Sequence, residues 1–248
     1  PMDVIGQGIE QAGKALGDST QSLSDAAHAI LTTDTHIKVS FRVVEVNGKE
    51  VVVAGVAKGA AMIGPNMATM LSFVFTDAQA SSSELGPLIA EAADQSFNCV
   101  SVEGHTSTND SLIIMANGES GSGKMLGGAW DTFAKAVHEV CGELAKAIAA
   151  DAEGASHLVT IQVEGLRDSK DARKVAKTVA DSALVKTAIF GADPNWGRVV
   201  SAAGYSGVIF EEKDLSLWMG EMLLYKDGTP QDFDAKVASD YLKNNRHV

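Results

Sequence analysis

The chain has 248 residues, 45% of them hydrophobic, which is enough to bury a full-sized core in one α/β unit. Its 20 Lys and Arg against 32 Asp and Glu leave a formal net charge of -12, which would repel the phosphate backbone of a nucleic acid. The cysteines Cys99 and Cys141 stand far apart, and no apolar run approaches the roughly 20 residues of a membrane helix, so no disulfide framework, metal site or membrane partner is expected.

Two helices followed by a β-hairpin are predicted at the start of the chain. Apolar residues recur close to helical spacing over residues 4–16, and a second short helix is predicted over residues 23–31. Residues 38–53 alternate in polarity around Asn47-Gly48, a dipeptide typical of tight hairpin turns.

The rest of the chain alternates between predicted strands and helices, which indicates an α/β fold. Strands are predicted at residues 70–75, 111–116, 157–163, 185–189, 207–210, 215–218 and 221–225. Helices are predicted at residues 83–98, 125–150, 169–182 and 232–242. No repeat, low-complexity tract or linker rich in Pro, Ser or charge marks a domain boundary, so we expect a single unit.

A hydroxyl residue stands where a small, glycine-containing loop enters the strand predicted at 70–75. Thr69 follows the small residue Ala68, and Gly64-Pro65 restricts the approach of the chain. Attack of the Thr69 hydroxyl on the Ala68 carbonyl would give an ester that water can open, leaving Thr69 as a new N-terminus. Its α-amine, with a reference pKa of about 7.7 to 8, would be a base beside the hydroxyl. The plainer interpretation is a β-branched residue that begins a strand.

The loop before Thr69 is part of a longer pattern, residues 58–71, which read KGAAMIGPNMATML. This pattern resembles the cleavage-site signature of the ornithine acetyltransferases. Further blocks similar to that family are LTTDT (31–35), STND (107–110), DAEGA (151–155), LVKTA (184–188) and GADPNWGR (191–198). The resemblance spans essentially the whole chain.

The resemblance implies a layered sheet-and-helix fold of the ornithine acetyltransferase and β-aminopeptidase type, and an enzyme of arginine biosynthesis. In that family the precursor cuts itself before the threonine, and the new terminal Thr moves acetyl from N-acetylornithine to glutamate. Carried over, Thr69 is the nucleophile, Ala68-Thr69 the cleavage site, residues 1–68 the end of an α subunit and 69–248 most of a β subunit. A cytoplasmic heterotetramer of two α and two β chains without a cofactor is implied, and acetyl-CoA as a further donor is left open.

The resemblance also implies substrate contacts at Lys58, at Thr32 or its neighbour Thr33, and at Glu153. An ammonium at Lys58 suits the substrate α-carboxylate, and the Glu153 carboxylate suits the amine of ornithine. Without the resemblance, Lys58 is a solvated loop charge and Glu153 an acid at a helix end. The family's oxyanion-hole Thr-Gly pair and its C-terminal Asn and Thr contacts have no counterpart in the chain, which begins at Pro1 without a leader and resembles a central piece of the enzyme.

Three alternatives remain open. The first is an N-terminal-nucleophile aminopeptidase of related fold. The second is nucleotide binding at residues 118–124, GESGSGK, which fit a phosphate-binding loop except that Met125 replaces the Ser or Thr that would ligate Mg²⁺. The third is a catalytically inactive scaffold, because the upstream oxyanion donors are absent from the sequence.

Overall fold

The computed structural model of the chain describes residues 2–61, 70–104, 107 and 109–248. Its helices are α1 (Met2–Lys14), α2 (Thr20–Ala29), α3 (Ser82–Gln95), α4 (Gly128–Ala150), α5 (Ser169–Asp181), α6 (Ala183–Phe190), α7 (Trp196–Gly204) and α8 (Ala235–Asn244). Its strands are β1 (Lys38–Val46), β2 (Lys49–Lys58), β3 (Leu71–Thr76), β4 (Ser111–Ala116), β5 (Leu217–Met219), β6 (Met222–Lys226) and β7 (Thr229–Pro230). Over the described residues, none of the helices is long and apolar enough to cross a membrane.

The first four strands form one mixed sheet in the order β1-β2-β3-β4. β1 and β2 are the predicted hairpin, and its turn residues Asn47 and Gly48 both have positive φ, 52° and 72°, as a tight hairpin turn requires. β3 pairs antiparallel with β2 and parallel with β4, and the crossover between β3 and β4 contains α3. The hairpin and the α/β fold class are therefore confirmed.

One face of this sheet is covered by α4, which packs across β1 and β2 and against α3. Apolar side chains on α4 recur every three or four residues and are fully buried toward the sheet: Phe133, Val137, Val140, Leu144 and Ile148. Each contributes about 1.5 to 3 kcal/mol by its burial. This helix and the sheet form the main core of the chain.

The side of β1 that faces α4 is polar over the first half of the strand and apolar at Val44 and Val46, whereas the other side is mostly apolar. Arg42 Nε donates to Glu139 Oε2 on α4 at 2.8 Å, and Ser40 Oγ donates to Glu143 Oε2 at 2.5 Å. Phe41, on the opposite face, is 65% exposed. Polar pairing with the helix at Ser40 and Arg42, together with burial of Val44 and Val46, therefore decides which side of β1 is covered.

Three predicted strands are wrong. Residues 183–190 form helix α6, whose first turn is capped by the Ser182 hydroxyl, which accepts the Val185 N–H at 3.4 Å. Residues 157–163 make a single parallel bridge, Leu158 to His247, with backbone hydrogen bonds to residues 246–248. Residues 207–210 are irregular. A short apolar run does not distinguish a strand from a buried helix, and the α6 segment packs with α5 and α7 in a second small core.

The contact between β2 and α4 depends on a glycine. A Cβ atom at Gly55 would lie 2.8 Å from Leu144 Cδ1 and 2.9 Å from Val140 Cγ1. We expect Gly55→Ala to lower the free energy of unfolding by about 1 to 3 kcal/mol, since the helix must move away from the sheet. Urea denaturation of the full-length protein measures this change.

The matched control is Gly142→Ala on α4, where an added Cβ meets no atom within 4 Å. This change removes backbone freedom from the unfolded chain and should raise the free energy of unfolding by about 0.5 to 1 kcal/mol. Equal effects of the two substitutions would contradict the close approach at Gly55.

Candidate functional site

The residues predicted to bind substrate meet at one end of the four-stranded sheet. Lys58 is the last residue of β2, and its Nζ lies 3.5 Å from the hydroxyl oxygen of Thr32. The backbone N–H of Glu153 donates to the carbonyl of Ala60 at 2.7 Å, while the residue itself is exposed. The structure thus brings Lys58, Thr32 and Glu153 to one place, whereas Ala68 and Thr69 lie outside the described residues.

Lys58 is a buried ammonium that makes one hydrogen bond to a described residue, although it carries three donors. The residue is 7% exposed, and the long bond to Thr32 is its one hydrogen bond to a described residue. No carboxylate oxygen of a described residue lies within 4 Å of its Nζ. Because an ammonium carries three donors and is costly to bury unpaired, Lys58 is suited to bind an anionic group of a ligand.

A second lysine at this end of the sheet is fully paired. Lys38 Nζ lies 2.6 Å from Asp34 Oδ1 and 2.6 Å from Asp151 Oδ2, and it donates to the His36 carbonyl at 3.5 Å. All three side chains of this ionic cluster are almost completely buried. The three donors of the ammonium are therefore used within the protein.

The two carboxylates of the cluster extend it to the binding residues. Asp34 also accepts the backbone N–H of Gly59 at 2.6 Å and that of Thr32 at 3.2 Å. It therefore holds the residue after Lys58 and the residue whose hydroxyl contacts Lys58. Asp151, at the end of α4, accepts the backbone N–H of Thr35 at 3.0 Å and stands two positions before Glu153.

Both carboxylates are held in their charged form. Burial raises the pKa of Asp151, but hydrogen bonds from Lys38 and Thr35 outweigh it and lower the pKa from 3.8 to about 2. The pKa of Asp34 is likewise lowered, because bonds from Lys38, Gly59 and Thr32 exceed the effect of burial.

The start of β3 is held by residues that precede β4. Met70, the residue after Thr69, donates its backbone N–H to Asp110 Oδ1 at 2.7 Å, and its carbonyl accepts the Ser111 N–H at 2.9 Å. In the sheet Lys58 pairs with Leu71, and Leu71 pairs with Ser111. The chain that continues from Thr69 is thus fixed at the same sheet end as Lys58.

The glycine-rich loop 118–124 does not form a phosphate cradle. The backbone N–H groups of Glu119, Ser120, Gly121 and Ser122 donate to other groups of the protein. Helix α4 begins at Gly128, so Lys124 does not lead directly into a helix N-terminus as a phosphate-binding loop requires. The structure therefore disfavours the nucleotide-binding alternative.

A cleft of about 740 Å³ lies between α4, residues 152–163 and helices α5 and α6. Its lining is mostly apolar and includes Glu153, but neither Lys58 nor Thr32. Glu153 therefore stands between this cleft and the end of the sheet.

Comparison with known proteins identifies the family. The model of the ArgJ family matches residues 1–248. The chain belongs to the ArgJ family. The arginine biosynthesis bifunctional protein ArgJ of Symbiobacterium thermophilum is 44% identical over 250 residues, which cover 100% of this chain and 62% of that protein. The ArgJ 1 protein of Nostoc is 46% identical, over 98% of this chain and 59% of its own length.

A solved structure agrees with this assignment. The crystal structure of ArgJ from Bacillus halodurans is similar with a TM-score of 0.69 and 37% identity, covering 72% of this chain and 85% of that chain. The present chain spans about six tenths of the length of the curated ArgJ relatives it matches.

Sequence reasoning assigned no role to four residues that organise this ArgJ site: Asp34, Lys38, Asp110 and Asp151. Asp34, Asp110 and Asp151 lie inside the family-like blocks LTTDT, STND and DAEGA. The signal available in the sequence was therefore an acidic residue in each of these three blocks. Lys38 gave a different signal, a lysine at the start of a strand whose next side chains alternate in polarity.

The ionic cluster should dominate the stability of this end of the sheet. We expect Lys38→Met to lower the free energy of unfolding at pH 7 by about 3 to 5 kcal/mol, because it leaves two buried carboxylates without a counter-charge. The control Lys14→Met removes a pair with Glu10 in which both side chains are more than two thirds exposed, and should cost less than about 1 kcal/mol.

The pH dependence of stability gives a second measurement on the same pair of proteins. The lowered pKa values of Asp34 and Asp151 stabilise the wild type above about pH 4, and this stabilisation is lost as the pH falls toward about 2. Without Lys38, burial raises both values, so acidification below neutrality should narrow the gap between variant and wild type. A gap that stays constant from pH 7 to pH 4 would refute the cluster.

Proposed function

We propose that this chain carries the nucleophile and part of the substrate site of an acyltransferase that moves acetyl from N-acetylornithine to glutamate. The observation that carries the proposal is the buried Lys58 ammonium, which has one long hydrogen bond to a described residue and lies at the sheet end to which Met70 is also fixed. An anion-binding group thus stands beside the point where the chain leaves Thr69.

The first chemical step is cleavage of the chain at Ala68-Thr69. The Thr69 hydroxyl oxygen attacks the Ala68 carbonyl carbon, a C–O bond forms, the C–N bond breaks, and the nitrogen takes the proton. Water then opens the ester, which leaves a carboxylate on Ala68 and a free hydroxyl and α-amine on Thr69. The amine can accept the proton of its own hydroxyl in the next reaction.

The second step is acetyl transfer. The Thr69 oxygen attacks the acetyl carbon of N-acetylornithine, the amide C–N bond breaks, and the hydroxyl proton passes by way of the α-amine to the departing ornithine amine. The amine of glutamate then attacks the acetyl ester, which gives N-acetylglutamate and restores the Thr69 hydroxyl. In this scheme Lys58 binds the substrate α-carboxylate, Thr32 orients Lys58, and the Glu153 carboxylate pairs with the positive amine of ornithine.

Because the chain spans about six tenths of its relatives, several features are proposed for the whole protein only. Residues 1–68 would end an α subunit and 69–248 form most of a β subunit, and two of each would make a cytoplasmic heterotetramer. Oxyanion donors are expected outside this chain, where each commonly contributes about 2.7 to 4 kcal/mol to the transition state. For the whole protein we also propose acetyl-CoA as a second acetyl donor for the same Thr69.

Cleavage is tested on the full-length protein by intact mass. Wild type should separate into two fragments with Thr69 at one N-terminus, and Thr69→Ala should remain one chain without acetyl transfer. Thr69→Ser keeps a hydroxyl and should still be cleaved. A wild type that stays uncleaved yet transfers acetyl would rule out the proposal.

The aminopeptidase alternative is separated by substrate. Processed protein is assayed with N-acetylornithine plus glutamate and, in parallel, with a panel of short β-peptides. Acetyl transfer without peptide hydrolysis supports the proposal, and the reverse result would assign the same nucleophile to an aminopeptidase.

The role of Lys58 is tested against a second lysine on the same strand. We expect Lys58→Met to lower kcat/KM for N-acetylornithine by about 10- to 100-fold, mainly through KM, since a charge-assisted contact contributes about 1.5 to 3 kcal/mol. The control is Lys49→Met, at the exposed start of β2, which should leave the kinetics unchanged. Equal kinetics for the two variants would exclude Lys58 from the substrate site.

A further inference from the structure

Asp110 is a partly buried carboxylate just before β4, beside the start of β3, and the chemistry proposed above gives it no role. Its Oδ1 accepts the Met70 N–H at 2.7 Å, while the Ser111 N–H donates to the Met70 carbonyl at 2.9 Å. Both polar groups of the Met70 backbone are therefore held by two consecutive residues.

Strand pairing alone does not require the Asp110 carboxylate at this position. In a parallel pair of strands, a backbone carbonyl ordinarily accepts the N–H that Asp110 accepts here. The second oxygen of Asp110, Oδ2, is buried and has no hydrogen-bond partner among the described residues. A buried acceptor without a partner is destabilising, and burial also raises the pKa of Asp110. Such a cost at one end of a sheet calls for a reason other than pairing strands.

The position of Asp110 supplies that reason. Its hydrogen bond ends on the nitrogen of Met70, to which the carbonyl carbon of Thr69 is covalently bonded. In the sheet Lys58 pairs with Leu71 and Leu71 pairs with Ser111, the residue after Asp110, so Lys58 and Asp110 lie at the same end of the sheet. The group is therefore one peptide unit from the proposed nucleophile and close to the proposed anion-binding ammonium.

We propose that Asp110 is a positioning residue for the reaction at position 69, in both the self-cleavage and the acetyl transfer. It acts through Met70, because its hydrogen bond fixes the backbone nitrogen of Met70, to which Thr69 is bonded. The inference rests on the proposed function, whose nucleophile it orients.

The test is a time course of self-cleavage in the full-length protein, followed by intact mass from the newly folded precursor. Asp110→Ala and the nearly isosteric Asp110→Leu remove the acceptor, whereas Asp110→Asn keeps an oxygen that can accept the Met70 N–H. We expect the first two to cleave about 10- to 100-fold more slowly and the Asn variant to stay within about threefold of wild type. Leu fills the buried volume, so it carries the test if Ala fails to fold.

The matched control is Asp77→Ala at the far end of the same sheet. Asp77 Oδ1 accepts the Val52 N–H at 2.8 Å, which is the same kind of bond from a carboxylate to a strand backbone. This variant should cleave at the wild-type rate even where its unfolding temperature falls as far as that of the Asp110 variants. Cleavage by Asp110→Leu as fast as by Asp77→Ala, or cleavage by Asp110→Asn as slow as by Asp110→Leu, would overturn the inference.

Kinetics after complete cleavage add a readout that a purely structural role would not move. Loss of positioning should lower kcat for acetyl transfer and leave KM for N-acetylornithine nearly unchanged, the opposite of the pattern expected for Lys58→Met. A rise in KM alone would count against Asp110 as a positioning residue. If the wild type is not cleaved, the proposed function itself is wrong. If the wild type is cleaved and the Asp110 variants are cleaved at the same rate, only this inference is wrong.

Discussion

A lysine ammonium enclosed between two carboxylates is the interaction on which the site end of the sheet depends. Lys38 places each of its donors on an acceptor, and the two carboxylates that receive it bind the backbone of two separate segments. These segments are the loop before β1 and the end of β2, and Asp151 links the loop before β1 to the end of α4, where it lies. Removing charged groups from water is expensive, so the cluster is stable only while every member is paired. The cluster thereby holds in place the residues predicted to bind substrate.

The regular elements of the core were largely predictable, because local patterns specify them. The hairpin turn at Asn47-Gly48 and the long helix α4 follow from turn chemistry and from apolar spacing. Helix α6 was not predictable, since its run ALVKTAIF fits a buried strand equally well. The alternation of β1 predicted a strand but not its covered side, to which Glu139 and Glu143 of α4 contribute by pairing with Arg42. Such a choice depends on residues about a hundred positions away.

The candidate site was predictable only in part, for a related reason. Lys58 and Glu153 were singled out by resemblance to a family, and the structure does bring their segments together. The groups that hold them were not predicted, because Lys38 and Asp151 are 113 residues apart in the chain and meet only when the sheet and α4 have packed. The contact of Asp110 was not predicted for the same reason, since its partner Met70 is 40 residues away in the chain. Long-range polar pairs leave no periodic signal in a sequence.

Two buried lysines at one end of a sheet have different roles because their partners differ. Lys38 is saturated by Asp34, Asp151 and a carbonyl, so any ligand would have to displace a protein group from it. Lys58 has a single long bond to a threonine hydroxyl among the described residues, and the Asp110 carboxylate is a more distant opposite charge. The first arrangement fixes geometry, and the second leaves donors directed at whatever enters the site. Because the described residues pair only one of these two buried ammonium groups fully, the other is the one suited to an anionic ligand, as proposed above.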